Sequence, residues 1–182
     1  MSKKRFQDKI EKLRSAERLA SLEVDRVVAL CLGGIKVSSV LDVGTGSGLF
    51  AEAFVPFVVE VVGIDPNPEM VKAAKGFVPT AHFREGEAEA IPVEDKSFDL
   101  VFLGHVLHET DSPLTALKEA WRTAKKRVAV LEWPYIEEKT GPGLDVRINP
   151  DEVVLLAEKA GFENIEKISL KFMMLYLLSV EH

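Results

Sequence analysis

Three glycines at 44, 46 and 48, an acid two residues before the first of them, and a second acid at 65 are the residues whose types and spacing could do chemistry. The stretch VLDVGTGSGLF, residues 40–50, runs apolar residues and Asp42 straight into those glycines. Without a Cβ, Gly44, Gly46 and Gly48 can take positive φ and let ligand atoms touch the backbone. A helix beginning just beyond them would add free N–H groups. No Gly-Lys-Ser/Thr follows, so this is not a P-loop. A dinucleotide loop, G-x-G-x-x-G/A, would have its third small residue at Leu49, or at Ala51 if counted from Gly46, which pushes the loop into the helix. The natural description is D-x-G-x-G-x-G.

The surrounding elements must hold that loop at a strand end. VSSVLDV, VEVVGID, AHFREG, SFDLVFLG and KRVAVLEW read as strands. GLFAEAFVPFV, limited by Pro56, NPEMVKAAKG, PLTALKEAWRTA and NPDEVVLLAEKAGF read as helices between or after them. Asn67 and Pro68 mark one helix start, and Gly161 one helix end. Residues 3–32 read as two helices, the first with Phe6, Ile10 and Leu13 on one face, the second, LEVDRVVALCLGG, closed by Gly33 and Gly34. The tail, ENIEKISLKFMMLYLLSVEH, reads as two strands, although periodicity also allows a buried helix for its second half. Alternating strands and helices predict a Rossmann-like, doubly wound α/β fold. Its seven-stranded sheet is mostly parallel with an antiparallel terminal strand and helices on both faces, since a last strand reached without a crossover cannot be parallel. Ligands of such sheets sit at the carboxyl ends of strands where strand order reverses.

Length and composition bound the rest. A chain of 182 residues is most simply one domain, with residues 1–34 as a helical segment over the cleft and 35–182 as the core. Its 23 basic against 29 acidic residues, net -6, argue against nucleic acid as a partner. Lys3, Lys4 and Arg5, and Lys125, Lys126 and Arg127, are the local basic clusters, read as solvated surface. The single Cys31 among apolar neighbours reads as a small buried side chain. No signal-peptide core or membrane span is present, and the expectation is a soluble, cytoplasmic protein.

VLDVGTGSG resembles the first motif of class I S-adenosylmethionine-dependent methyltransferases. VVGIDPNPEMVKAAK, GEAEAIPVEDKSFDLVFLGHVLHE and LAEKAGF resemble, in order, later motifs of their small ubiquinone-biosynthesis-type (type 11) subgroup, so the resemblance spans about residues 38–180. It implies S-adenosyl-L-methionine as cofactor and S-adenosyl-L-homocysteine as product. Asp65, followed by Pro66, would take the ribose hydroxyls, or else serve as a turn residue. Asp42 would orient the glycine loop and meet the cofactor's ammonium end, with Gly44, Thr45, Gly46 and Gly48 contacting the cofactor. Glu87, where the family more often has Asp, and Ala88 align with the adenine contact, or else form a surface turn; Met70 would pack on that ring from the next helix, or else serve as a core or helix-face residue. Leu103 and Gly104 align with backbone carbonyls holding the methionine portion.

His105 and His108 are three apart, which on a helix places them on one face. With Glu109 and Asp111 they form a conceivable metal set, but the resemblance implies no metal; His105 is the general-base candidate and His108 reads as structural. Trp133 and Tyr135 would wall a substrate pocket or merely pack at its rim, and the long loop 134–148 lies at a strand end where sites are lined. The functional reading is methyl transfer to a small-molecule acceptor, set against a nicotinamide-dependent oxidoreductase and a non-catalytic binding module. Oligomeric state is not readable.

Overall fold

Alternation of apolar side chains builds the sheet. The computed structural model of the chain describes residue 10, residues 13–137 and residues 141–181. Its strands are β1 (Ser39–Val43), β2 (Glu60–Asp65), β3 (His82–Glu85), β4 (Phe98–Gly104), β5 (Ala124–Glu132), β6 (Asn164–Ser169) and β7 (Met174–Ser179). They form one seven-stranded sheet in the order β3-β2-β1-β4-β5-β7-β6. Strands β1 to β5 pair in parallel, and β7 inserts antiparallel between β5 and β6. The tail therefore resolves as strands: Leu175 and Leu177 pack into the core on one face, Tyr176 and Leu178 into the core on the other. The same two-residue period runs along β4, where Leu100 and Phe102 oppose Val101 and Leu103.

Among the described residues, six helices cover the two faces: α1 (Ala16–Leu22), α2 (Val24–Leu32), α3 (Leu49–Phe54), α4 (Pro68–Phe77), α5 (Pro113–Thr123) and α6 (Pro150–Ala160). Val27, Val28 and Cys31 of α2, Phe50 and Phe54 of α3 and Val71 and Ala74 of α4 fill one core. Ala116, Leu117 and Ala120 of α5 and Val153 and Ala157 of α6 fill the other. Cys31 is free and fully buried, and burial pushes its thiol up to about 12. Asn67 and Asn149 cap α4 and α6 by accepting the backbone N–H two residues on, and Gly161, at φ 109°, closes α6. Past Pro56, α3 tightens into the 3-10 turn Val55–Phe57.

Two expectations change. The second helix starts at Val24, not Leu22, because Glu23 takes a left-handed conformation (φ 47°) between α1 and α2. Its carboxylate accepts the Lys171 N–H at 2.6 Å, a tertiary bond, and the local Arg26 guanidinium at 2.9 Å. The basic run at the start of β5 is not simply solvated. Arg127 donates to the Cys31 and Gly33 carbonyls at 2.8 Å, tying the end of α2 to the sheet, and Lys126 pairs with Asp99 at 2.9 Å. Phe6 and the Lys3-Lys4-Arg5 cluster lie outside the described residues. Among those described, no helix is long and apolar enough to cross a membrane.

The strand order reverses between β1 and β4, and the segment from β3 to β4 must return across that opening. Arg122 of α5 holds it: Nη1 donates to the Val93 carbonyl at 2.9 Å and Nη2 to the Ile91 carbonyl at 2.9 Å. The same guanidinium pairs with Glu119 and with Asp95, each at 2.7 Å, and these two carboxylates raise its pKa. Glu119 in turn accepts the Ile91 N–H at 2.9 Å. Arg122→Ala should therefore cost about 1–3 kcal/mol in chemical denaturation. It should also speed amide exchange across residues 87–95 more than across β1.

Candidate cofactor site

The glycine loop follows β1 and runs across the end of β2. Gly44, Gly46 and Gly48 all have positive φ, of 66°, 55° and 80°. At Gly44 an added Cβ would strike the Val106 side chain, whereas at Gly46 it would meet nothing within 4 Å, because that position opens into the cleft. The Thr45 N–H bonds the Ile64 carbonyl at 2.9 Å, docking the loop on β2. Asp65, buried at the end of β2, accepts the Gly46 N–H on Oδ2 and the Asn67 N–H on Oδ1, both at 2.9 Å. A carboxylate has about four lone-pair positions, so each oxygen keeps one for a ligand hydroxyl.

Asp42 turns to the loop from below. One oxygen, Oδ2, accepts both the Thr45 hydroxyl at 2.6 Å and the Ala51 N–H at 3.1 Å. Burial, opposed by those two bonds and aided by the charge of Asp65, pushes Asp42 up to about 7. The two acids thus differ in kind: one is braced by the loop backbone, the other is buried and poised to gain or lose a proton.

A cleft of about 560 Å³ lies over these groups, in the range of small-ligand pockets. Asp42, Gly44, Thr45, Gly46, Asp65, Pro66, Met70, Glu87, Ala88, Gly104 and His105 all line it, so most of the expected site converges. Glu87 is exposed at its edge and pairs with Ala90 across a tight bridge, while Ala88 and Met70 are buried. Two expected residues do not line it. Gly48 faces α4, where a Cβ would sit 3.2 Å from Ala74 and 3.3 Å from Val78; its bareness serves helix packing. Leu103 is fully buried, its backbone in the ladder with Val43 and Val130.

His105 and His108 are not on one helical face. His105 takes a left-handed conformation (φ 59°), and the chain then enters the 3-10 turn Leu107–Glu109. The two rings meet edge to face at 6.3 Å, and their environments diverge. The His108 Nδ1 lies 2.7 Å from Glu132 Oε2; burial disfavours its charge, but the bond to Glu132 outweighs that and raises its pKa. His105 packs its ring 4.9 Å from Trp133. The residue as a whole is half-buried, yet both ring nitrogens are closed to solvent and unbonded. Burial first, then the charges of Arg18 and His108, drop it to about 3.

Sequence reasoning missed Arg18 and Leu22, which reach the cleft from α1, and Phe50 from α3. It also missed Arg147, buried in the loop after β5, whose guanidinium binds the Pro134 and Ile136 carbonyls at 2.8 Å and the Pro142 carbonyl at 2.9 Å. A helical segment expected over the cleft was the available signal for Arg18. Arg147 gave none, since its partners are backbone carbonyls.

A mostly parallel sheet with a glycine loop at its switch point and an acid ending the second strand defines a Rossmann-like α/β protein. Residues 41–131 match the model of the methyltransferase domain family, and the chain belongs to that family. A SAM-dependent methyltransferase from Aquifex aeolicus superposes with a TM-score of 0.84 at 28% identity, covering 96% of this chain and 98% of that one. The uncharacterized methyltransferase YcgJ of Bacillus subtilis is 37% identical over 92 residues, 48% of this chain and 36% of that protein. A demethylmenaquinone methyltransferase of Renibacterium salmoninarum is 34% identical over 100 residues, 55% of this chain and 42% of that protein. The match thus spans about two fifths of the length of these curated relatives.

Asp42 provides a test. Its folded pKa lies above the unfolded one, so its contribution is fully present below pH ~4 and is lost as pH rises to about 7. Asp42→Asn keeps an oxygen for Thr45 and Ala51 without the charge. Relative to wild type it should be near neutral in stability at pH 4 and more stable at pH 8, by roughly 3–5 kcal/mol, measured by urea unfolding at both values. Equal differences at the two pH values would remove Asp42 as a titrating group.

Proposed function

We propose that this chain binds S-adenosyl-L-methionine and transfers its methyl group to a small-molecule acceptor, leaving S-adenosyl-L-homocysteine. The observation that carries the reading is the bond from the Gly46 N–H to Asp65, which sets an open glycine backbone and a ribose-competent carboxylate side by side. The charge of the lining separates this ligand from a dinucleotide. Six carboxyl groups, Asp42, Asp65, Glu87, Glu89, Glu109 and Asp111, face the cleft against the single Arg18. That field favours a cationic sulfonium and opposes a pyrophosphate.

When bound, the cofactor supplies an activated methyl: an acceptor lone pair forms the new bond to carbon while the sulfur–carbon pair stays on sulfur. The chain's own residues place the two reactants. Asp65 takes the ribose hydroxyls on its spare lone pairs, Glu87 and Ala88 meet the adenine edge, and Met70 packs against the ring. Asp42 ionises beside the ammonium group, which lowers its raised pKa. Gly44, Thr45, Gly46 and Gly104 hold the methionine portion. Alignment of this kind can supply on the order of 7–11 kcal/mol, which suits a site without an obligatory catalytic side chain. At about 3, His105 is neutral at physiological pH, and with both ring nitrogens closed to solvent it serves as a wall of the cleft rather than as a proton store. The relative named for demethylmenaquinone supports a small molecule as acceptor. The free, buried Cys31 suits a reducing, cytoplasmic setting.

Thermal unfolding with excess S-adenosylhomocysteine should raise the melting temperature, since ligand at ~100 times its Kd adds ~2.7 kcal/mol; NAD should give no shift. Asp65→Ala should abolish the response. A shift with NAD alone, or an undiminished shift in Asp65→Ala, would overturn the cofactor assignment. Transfer of labelled methyl to a small-molecule pool then separates an enzyme from a binding module.

A further inference from the structure

The end of the cleft beyond the cofactor residues holds a cation without a counter-ion. Most arginines in the described chain that leave the open surface are matched. Arg14 pairs with Glu52 and Arg122 with Glu119, while Arg127 and Arg147 bind backbone carbonyls. Arg18 differs. Its guanidinium lines the cleft, lies 5.4 Å from the centre of the Trp133 ring and has no ion pair or side-chain hydrogen bond among the described residues. Burial lowers its pKa, so the site disfavours the charge it carries. Six carboxyl groups line the same cleft, yet none neutralises it.

A second observation falls at the same place. His105, whose ring lies 4.9 Å from the same indole, has two buried nitrogens without partners. Unpaired buried polar atoms are costly and call for a partner. The neighbouring charges do not supply a substitute anion: Glu132 is engaged by His108 at 2.7 Å, and Glu109 approaches the other nitrogen of His108 at 4.0 Å.

Strand order says which reactant belongs there. Asp65 ends β2 and the glycine loop ends β1, whereas His105 follows β4 and Trp133 follows β5. Adjacent strands are ~4.8 Å apart. The Arg18 corner therefore lies on the far side of the glycine loop from the nucleoside, where the acceptor must enter. We propose that Arg18 is the anion-binding residue of the acceptor subsite, and that the acceptor is a small carboxylate-bearing molecule seated against the Trp133 and His105 rings. The anionic end pairs with the guanidinium, which holds the nucleophile on the β4 side of the loop. Arg18 is thus a positioning residue and takes no part in bond making.

This rests on the cofactor reading above, and its test keeps the two apart. The protein is first saturated with S-adenosylhomocysteine, then titrated calorimetrically with 4-hydroxybenzoate, its uncharged methyl ester, and tyramine. The acid should bind about tenfold or more tighter than the ester, with tyramine weakest. Arg18→Gln should erase the preference, and Arg18→Lys should retain part of it. Both variants should keep wild-type affinity for S-adenosylhomocysteine. A wild-type protein that takes up no S-adenosylhomocysteine overturns the cofactor reading beneath this one. Uptake of S-adenosylhomocysteine with no preference among the three probes, or with no binding of any, overturns the acid subsite alone. Loss of S-adenosylhomocysteine affinity in Arg18→Gln assigns the guanidinium to the cofactor's own carboxylate and also overturns it. So does a preference for tyramine, which would give the corner to the rim acids Glu109 and Asp111.

Discussion

A buried carboxylate at the end of β2 must be satisfied, and the way Asp65 is satisfied shapes the cleft. Its two oxygens take backbone N–H groups from opposite directions, Gly46 of the loop and Asn67 at the head of α4. Left unpaired, an acid this buried would be expensive. Paired in this way, it ties β1, β2 and α4 at one point, and Thr45 reinforces the tie through Ile64. The positive φ at Gly46 follows from that geometry: the loop must turn its N–H toward Asp65 and its missing side chain toward the cleft. The same bonds leave each oxygen half free, so one arrangement serves both folding and recognition.

Asp42 is handled differently because it sits deeper. Two donors on a single oxygen do not offset its desolvation, and the charge of Asp65 works against its ionisation. A cationic ligand group reverses that balance, so binding and proton release are coupled at this position. The Thr45 hydroxyl and the Ala51 N–H hold Asp42 in place, and the Gly48 carbonyl accepts the Glu52 N–H at 2.9 Å at the start of α3.

What could be read from the sequence follows the range of the forces involved. The strands, the Asn67 and Asn149 caps and the Gly161 terminus are set by periodicity and by neighbours a few residues away, and all appear where local rules put them. The glycine loop and Asp65 are also local features at strand ends, and they converge on the cleft. The failures are long-range. Glu23 breaks a helix because Lys171, 148 residues on, offers a better bond. His105 leaves the helical pattern where the chain turns off β4, its N–H bonded to the Leu131 carbonyl on β5. Gly48 looked like a third ligand contact because spacing cannot say which side of a loop a missing Cβ faces; α4 occupies that side.

The two ends of the cleft divide along the same line. The glycine-loop end is made of backbone and short side chains at the ends of β1 and β2, where one substitution disturbs both strand packing and the wall of the cleft. The other end carries a long side chain, Arg18 from α1, set against the Trp133 ring just past β5, a contact across a large separation in the chain. Exchanging a long side chain at such a rim leaves the sheet untouched, because the elements beneath are held by their own buried cores. For the same physical reason, the motifs that make the glycine loop and Asp65 legible carry no information about the side chains at the Arg18 end.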